Sequence, residues 1–292
     1  MIQHRTDLAL EATQLLRQNT PDGLSGVTQT ERTNQGCPVV QVDITSPEGA
    51  EAIGKPQGRY LTLELNDLLR REPESFQKAV HALAAELSAL LPGGGEGHAA
   101  ALVVGLGNRL VTPDAVGPRA VDQTMVTRHL IAQAPEQFGP FRPVSALAAG
   151  VLGTTGVESG ELVKAVSDQI KPDFVIAIDA LAARSVHRLC STVQIADTGI
   201  IPGSGVGNAR QALNQETLGI PVIAIGVPTV VEAATLVADL TGQTPANEVG
   251  SMLVTPKDID VLVSDVAKVI GYGVNLALQE GLSIEDVDLF LS

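Results

Sequence analysis

The sequence predicts a single α/β domain that covers residues 1–292, with a mostly parallel, twisted sheet and helices on both of its faces. Two observations predict this class. Residues 100–107, 174–179 and 221–227 form short runs that are almost wholly apolar, as expected for strands covered on both faces. Stretches with the apolar spacing of helices alternate with these runs. This alternation is typical of doubly wound sheets.

Helices are predicted where apolar residues recur every three or four positions. They cover residues 1–20, 72–91, 118–134, 159–170, 230–240 and 256–280. Proline and glycine mark the boundaries. Pro118 opens the third helix, which is a favoured place for proline, while Pro92 and the glycines after it close the second. These glycines indicate a loop within the domain, because the run is too short for an interdomain linker.

The strands are bounded by turn residues and are either wholly apolar or alternating. They cover residues 39–44, 59–64, 100–107, 145–151, 174–179, 192–195 and 221–227. A glycine-rich loop follows at residues 199–208. It misses the dinucleotide-binding pattern because Asn208 stands where the last glycine is required. Backbone approach to a substrate, or tight turns alone, explain this loop better than a nucleotide site.

Composition excludes several classes of protein. The 292 residues carry a formal charge of −14, and only 2% are aromatic, which argues against direct binding to nucleic acid. No apolar run approaches the roughly 20 residues of a membrane span, and the polar N-terminus does not resemble a signal peptide. We therefore expect a soluble, cytoplasmic protein. Cys37 and Cys190 are expected to be free thiols.

Two acidic residues follow predicted strands at the edge where α/β sheets bind ligands. Asp179 ends the strand at 174–179, and Asp114 lies in the loop after the strand at 100–107. Two carboxylates held close in a partly dry cleft share one proton, which lets the pair act as acid and base together. Such a pair can activate water for attack on a peptide carbonyl. Alternatively, each aspartate only anchors a loop.

Other polar residues give weaker signals. The five histidines are scattered and form no zinc-helix motif. His129, on the helix after the Asp114 loop, is the one that could approach the site, and with the carboxylates it could bind a divalent metal. Asp197 begins an Asp-Thr-Gly triplet, as in pepsin-like proteases. Those proteins are all-β and need two triplets, so Asp197 is expected in a turn.

Nine segments carry a family resemblance, at residues 5–9, 49–59, 105–108, 112–118, 127–130, 156–158, 173–185, 202–208 and 219–231. In these segments the sequence resembles the germination proteases of spore-forming bacteria, endopeptidases that degrade small acid-soluble spore proteins. The resemblance implies a fold related to the hydrogenase maturation proteases, whose comparable site binds a metal. It also implies a tetramer in the spore core, without a cofactor.

The resemblance assigns roles to particular residues. The family's catalytic aspartates map onto Asp114 and Asp179. The other candidates, for substrate contact or support, are Glu158, His129, Gly203 and Gly205. The family enzyme is a zymogen that removes its own N-terminal segment. Here residues 1–7 would be the propeptide, with the cut between Asp7 and Leu8. One departure is the stretch at 241–254, which is shorter than in the family.

The prediction is therefore an endopeptidase with an aspartate pair. Two alternatives remain open: a metal-dependent peptidase that uses the same carboxylates, and a metal-binding module without catalysis.

Overall fold

The computed structural model describes residues 6–19, 24–92, 99–204, 210–241 and 252–292. The strands are β1 (Val27–Asn34), β2 (Cys37–Ile44), β3 (Gly58–Glu64), β4 (Ala101–Leu106), β5 (Val144–Gly150), β6 (Phe174–Ala183), β7 (Thr192–Ala196), β8 (Val222–Glu232) and β9 (Leu253–Val254). The helices are α1 (Ala9–Asn19), α2 (Pro47–Ile53), α3 (Asn66–Leu69), α4 (Ser75–Ser88), α5 (Val116–Asp122), α6 (Arg128–Gln133), α7 (Pro135–Phe138), α8 (Leu152–Thr155), α9 (Ser159–Ile170), α10 (Gln215–Leu218), α11 (Ala233–Thr241), α12 (Ile259–Leu278) and α13 (Ile284–Leu291). Thr112–Asp114 and Val186–Arg188 form 3-10 turns.

The nine strands form one sheet in the order β1-β2-β3-β7-β8-β6-β4-β5, with β9 paired to β8. The α/β class is confirmed. The four strands β8, β6, β4 and β5 are parallel, as predicted. The rest of the sheet is antiparallel, so the sheet is mixed rather than mostly parallel. The predicted site falls in the parallel half.

The antiparallel half begins with a hairpin whose first strand is absent from the predicted strands. Strand β1 is polar and mostly exposed, so it lacks the apolar alternation that identifies a strand. It pairs with β2 across a two-residue turn in which Gln35 and Gly36 both have positive φ. Such turns match the twist of a hairpin. The turn geometry, rather than burial, therefore defines β1.

Helices cover both faces of the sheet, as predicted. The larger core cluster joins one face to α4, α5 and α12, and the smaller one joins the other face to α9. Strand β4 shows the alternation: Val103 belongs to the larger cluster, whereas Leu102 and Val104 belong to the smaller. By length and composition α12 could span a membrane, but most of it is buried against the sheet and α4. Core packing accounts for its apolar character.

The single helix predicted over residues 118–134 is wrong, because two helices, α5 and α6, occupy this stretch. Between them the N–H of Met125 donates to Oδ1 of Asn275 on α12, at 2.8 Å, and the N–H of Thr127 donates to the carbonyl of Val144 on β5, at 3.1 Å. These donors are taken by other elements and cannot continue a helical ladder.

Two central strands run further than predicted. Strand β6 continues past Asp179 to Ala183, and β8 continues to Glu232 through the residues expected to open a helix. The extensions pair with each other, from Ala180 opposite Val227 to Ala183 opposite Val231. We call the paired extensions, residues 180–183 of β6 and 227–231 of β8, the β6–β8 ribbon. Since β4 ends at Leu106, this ribbon projects beyond the edge of the sheet and forms one wall of a cleft.

Candidate active site

Asp179 lies within the buried strand β6, in register with Gly226 on β8. Its side chain is almost completely buried. One oxygen, Oδ1, accepts a hydrogen bond from the N–H of Ala180 at 2.9 Å. Because β8 pairs with the backbone at Asp179 and the N–H of Ala180 binds the carboxyl group, this group has little freedom to move.

Asp114 is brought to the same place by the loop that follows β4. The chain makes a 3-10 turn at Thr112–Asp114, and Oδ2 of Asp114 accepts a hydrogen bond from the N–H of Asn108 at 2.8 Å. Gly107 has φ +106°, and a Cβ there would lie 2.1 Å from the carbonyl oxygen of Asp114. Only glycine allows this loop to fold back so closely on the end of its own strand.

The helix after the loop is equally close to the sheet. A Cβ on Gly117, in the first turn of α5, would lie 2.3 Å from the carbonyl oxygen of Leu106 and 2.4 Å from that of Ile178. The start of α5 therefore rests directly on β4 and β6. This contact brings the loop that carries Asp114, two residues before the helix, to the part of β6 where Asp179 follows Ile178, and both aspartates line the same cleft.

Both carboxyl groups have raised pKa values. Burial raises the pKa of Asp114, and the hydrogen bond from Asn108 opposes this effect. Burial, followed by the negative charge of Asp114, raises the pKa of Asp179 well above its ordinary value. The N–H of Ala180 opposes that rise, while the charge of Asp7 adds to it. Asp179 therefore retains a proton in the range where Asp114, which is less buried, has lost its own.

The two aspartates line a cleft of about 550 Å³ between the Asp114 loop and the β6–β8 ribbon. Much of the lining is apolar and includes Val111, Leu152, Leu181, Val230 and Leu253. An apolar cleft with a few convergent polar groups is typical of substrate-binding sites. An extended chain entering here would pass both carboxyl groups.

The N-terminal segment of the protein borders this cleft through Asp7. The N–H of Asp7 donates to the carbonyl of Ala182 at 2.9 Å, and the N–H of Ala182 donates to Oδ2 of Asp7 at 2.9 Å. The other carboxylate oxygen, Oδ1, accepts from the hydroxyl of Ser204 at 2.7 Å. Leu8 is fully buried and packs with Leu181 in a small apolar cluster. The predicted cleavage position, between Asp7 and Leu8, therefore lies beside the predicted catalytic pair.

Glu11, on α1, anchors this segment. Its carboxylate is almost fully buried. It accepts hydrogen bonds from the N–H groups of Arg184 at 2.7 Å and of Ser185 at 3.0 Å, just beyond the end of β6. Arg188 lies 3.5 Å from the same carboxylate. The start of α1 is thus tied to the strand that carries Asp179.

The supporting residues predicted from the sequence differ in their placement. Glu158 lines the cleft and pairs with Arg210 at 3.2 Å. Gly203 also lines it, next to Ser204, whereas Gly205 lies outside the described residues. His129 is exposed on α6, beside the first residue of β5, at the opposite edge of the sheet. His129 is not among the described residues that line the cleft, and α6 is a separate helix from the one that follows the Asp114 loop.

Two contributing residues, Gln194 and Ser204, were not predicted. Both contact the N-terminal segment. A signal existed for Gln194, since it is a polar amide inside a buried strand. In the described part of the chain, no group of three or more His, Cys, Asp and Glu residues is arranged to hold a metal ion.

A mixed α/β sheet that presents two carboxyl groups of raised pKa in a largely apolar cleft bordered by an N-terminal segment defines a candidate hydrolytic site. The sequence model of the germination protease family matches residues 4–243. The chain belongs to the germination protease family. It is accordingly a peptidase of spore germination.

Several germination proteases are similar in sequence to this protein over most of its length. A germination protease of Clostridium perfringens is 42% identical over 99% of both chains, and one of Caldanaerobacter subterraneus is 44% identical over 98% of both. A germination protease of Bacillus cereus is 51% identical over 80% of this chain and 65% of its own. The alignment to the Clostridium protein has 323 positions, more than this chain has residues. The relative therefore carries additional residues.

Among solved structures, a [NiFe] hydrogenase maturation protease, HycI from Thermococcus kodakarensis, is similar to this chain with a TM-score of 0.40 and 17% identity. The match covers 66% of this chain and 98% of that protein.

Proposed function

We propose that the protein is an endopeptidase in which Asp114 and Asp179 share one proton and activate water, and that it first cuts its own chain between Asp7 and Leu8. The observation that carries the proposal is the position of the Asp7–Leu8 segment. Asp7 lines the cleft that both carboxyl groups also line, and it is held there by backbone and side-chain hydrogen bonds. Residues 1–7 are then a propeptide of one α/β peptidase domain.

The unequal environments of the two aspartates suggest their roles. Asp114, partly exposed and the first to ionise, accepts a proton from the attacking water. Asp179, which keeps its proton, donates a hydrogen bond to the scissile carbonyl and then transfers that proton to the leaving nitrogen. The water hydroxyl is added to the carbonyl carbon as the C–N bond breaks. The pair ends with one proton, now on Asp114, so it is ready for another turnover after the proton redistributes.

We further propose small acid-soluble spore proteins as the substrates, with the spore core as the location. The family supports a role in spore germination, and the open, largely apolar cleft of about 550 Å³ offers space for an extended segment of another protein. A homotetramer is the assembly that the family resemblance implies, and light scattering on the purified protein tests it.

The test of the pair replaces each aspartate separately. Asp114→Asn and Asp179→Asn should each reduce release of residues 1–7, followed by mass spectrometry, by at least about 1,000-fold, because neither amide can exchange the proton. Both should also fail to cleave an added small acid-soluble spore protein. Asp168→Asn, which removes an exposed carboxylate on α9 paired with Lys164, is the matched control and should process normally.

Near-normal processing by either variant, with its fold intact, would remove that residue from the mechanism. A chelator separates the proposal from a metal-dependent peptidase that uses the same carboxylates. Under the proposal, wild-type processing is unchanged by EDTA. Loss of activity with EDTA, and its return on adding one metal, would contradict it.

A further inference from the structure

The side chain of Gln194, on β7, contacts the N-terminal segment on both sides of the Asp7–Leu8 bond. Its Oε1 accepts a hydrogen bond from the N–H of Ala9 at 2.8 Å. Its Nε2 donates to the carbonyl oxygen of Asp7 at 3.3 Å. Gln194 is buried, so water does not compete for these contacts. The carbonyl of Asp7 is the one that the proposed cleavage attacks.

The orientation of this amide follows from its partners. The N–H of Ala9 can only donate, so the atom of Gln194 that faces it must be the oxygen. The nitrogen therefore faces the carbonyl of Asp7. One planar amide thus spans the bond. It donates to Asp7, the residue before the bond, and accepts from Ala9, the second residue after it.

Gln194 also stands opposite Asp179 across the sheet. Gln194 pairs with Gly226 on β8, and Gly226 pairs with Asp179 on β6. Directly paired residues point to the same face of a sheet, so the side chains of Gln194 and Asp179 leave the same face. They are separated by two strand spacings, about 10 Å. Gly226, between them, has no side chain, and the side chain of Leu181 packs over it.

Leu181 connects this glycine to the N-terminal segment. A Cβ on Gly226 would lie 2.3 Å from Cδ1 of Leu181, so this side chain covers the glycine. Leu181 belongs to the same apolar cluster as Leu8. The segment that contains the Asp7–Leu8 bond is therefore held between Gln194 on β7 and the Leu181–Ala182 part of β6, the strand that carries Asp179.

We propose that Gln194 binds the substrate backbone across the bond to be cut and stabilises the oxygen of the attacked carbonyl. This inference rests on the proposed function and extends it to a residue outside the aspartate pair. As water adds, that oxygen gains negative charge, and a fixed N–H donor binds it more strongly than it binds the neutral carbonyl. Both contacts are to backbone atoms, so the same clamp fits any sequence with an extended backbone at this position.

Gln194→Met tests the clamp, because methionine has a similar length and neither polar atom. We expect release of residues 1–7 to slow by about 100-fold, the usual cost of losing such a donor. Thr192→Val is the matched control. Thr192 is buried on the same strand and donates to the carbonyl of Arg188, away from Asp7 and Ala9. It should process at the wild-type rate.

A peptide with the sequence of residues 4–14 gives a second measurement, added to the purified full-length chain. The peptide is used unmodified and with a methyl group on the Ala9 nitrogen. The methyl group removes the N–H from which Gln194 accepts a hydrogen bond. For wild type, kcat/KM should fall at least about ten-fold on methylation. For Gln194→Met the loss should be much smaller, because the acceptor is already absent. This coupling distinguishes a lost hydrogen bond from a steric effect of the methyl group.

The inference is overturned if Gln194→Met processes like wild type, or if methylation costs both proteins equally. Cleavage of the methylated peptide by wild type at the full rate would overturn it too, and that measurement does not depend on whether the variant folds. Failure of the underlying function looks different, since Asp114→Asn and Asp179→Asn would then remain active.

Discussion

The Asp7 carboxylate is held by donors from two parts of the chain, the N–H of Ala182 and the hydroxyl of Ser204. Lys55 lines the small pocket on the far side of Asp7. Burial lowers the pKa of the Lys55 ammonium group, and the charge of Asp7 opposes that effect. These groups suit an acidic side chain on the residue before the bond that we propose is cut. An uncharged residue would leave them without a partner.

Ser204→Ala should slow self-processing about 10- to 100-fold, which corresponds to the roughly 1.5–3 kcal/mol of a hydrogen bond to a charged group. The physical reason is that one carboxylate oxygen of Asp7 loses its donor. The rate of release of residues 1–7 measures the effect.

Ser191→Ala is the control for loss of a serine hydroxyl. The hydroxyl of Ser191 donates to the carbonyl of His187 and not to Asp7. The two variants should differ in rate. Equal rates would show that the Ser204 hydroxyl does not orient Asp7.

The positions of single site residues could be predicted where the neighbouring sequence alone determines them. Asp114 and Asp179 follow apolar runs, and the carboxyl ends of such strands form a known ligand edge. The partners of Asp7 obey no such rule. Ser204 contacts it across 197 positions of sequence, and Gln194 reaches the segment only because β7 pairs with β8 in one register. Register is a property of the assembled sheet.

At the scale of elements, the loop and helix after β4 position Asp114 through close backbone contacts. The glycines at 107 and 117 are both essential to this arrangement, since a side chain at either position would overlap carbonyl groups. The start of α5 consequently acts as a rigid support for the Asp114 loop.

Gly117→Ala should therefore destabilise the fold by about 1–3 kcal/mol, the usual cost of forcing an extra methyl group into a packed interior. It should also slow self-processing, because α5 must move away from β4 and β6 and take the Asp114 loop with it. Thermal unfolding and the rate of release of residues 1–7 measure the two effects.

Gly153→Ala is the matched substitution for stability. Gly153 lies on α8, and a Cβ there would meet no atom within 4 Å. Its thermal midpoint should equal that of wild type. If Gly117→Ala behaved in the same way, the close packing of α5 on the strands would not be a constraint.

Elements were predictable where the apolar period is strong, as in α4, α9 and α12. The predicted boundaries of helices and strands were wrong where distant elements provide the hydrogen-bond partners of the backbone. The gap between α5 and α6 exists because Asn275 and Val144 bind the N–H groups there. The extension of β8 exists because β6 continues alongside it. Neither partner can be inferred from the sequence near the element itself.

At the scale of the whole molecule, the folded chain holds a carboxyl group whose pKa is raised well above its ordinary value by burial, by Asp114 and by Asp7. The unfolded chain has no such environment, so Asp179 there ionises near its ordinary pKa of about 3.9. Stability must therefore depend on pH through this group. The buried carboxyl group that supports the proposed chemistry also lowers the free energy of unfolding at neutral pH.

The sign follows from proton uptake. Below about pH 4, Asp179 is protonated in both states, and it affects their difference little. Above that pH the unfolded state releases the proton and the folded state keeps it, so the free energy of unfolding falls as the pH rises. The fall continues up to the folded-state pKa. Each unit of pKa elevation corresponds to about 1.4 kcal/mol.

Asp179→Asn removes this titration while retaining a side chain of the same shape. We expect the variant to be more stable than wild type at pH 7, with an advantage that shrinks towards pH 4, although it no longer cleaves. Urea unfolding at several pH values measures the difference. Asp168→Asn should show no such gain, because that carboxylate is exposed and paired with Lys164. An Asp179→Asn protein less stable than wild type at every pH would mean that the ionised aspartate stabilises the fold, which contradicts its raised pKa.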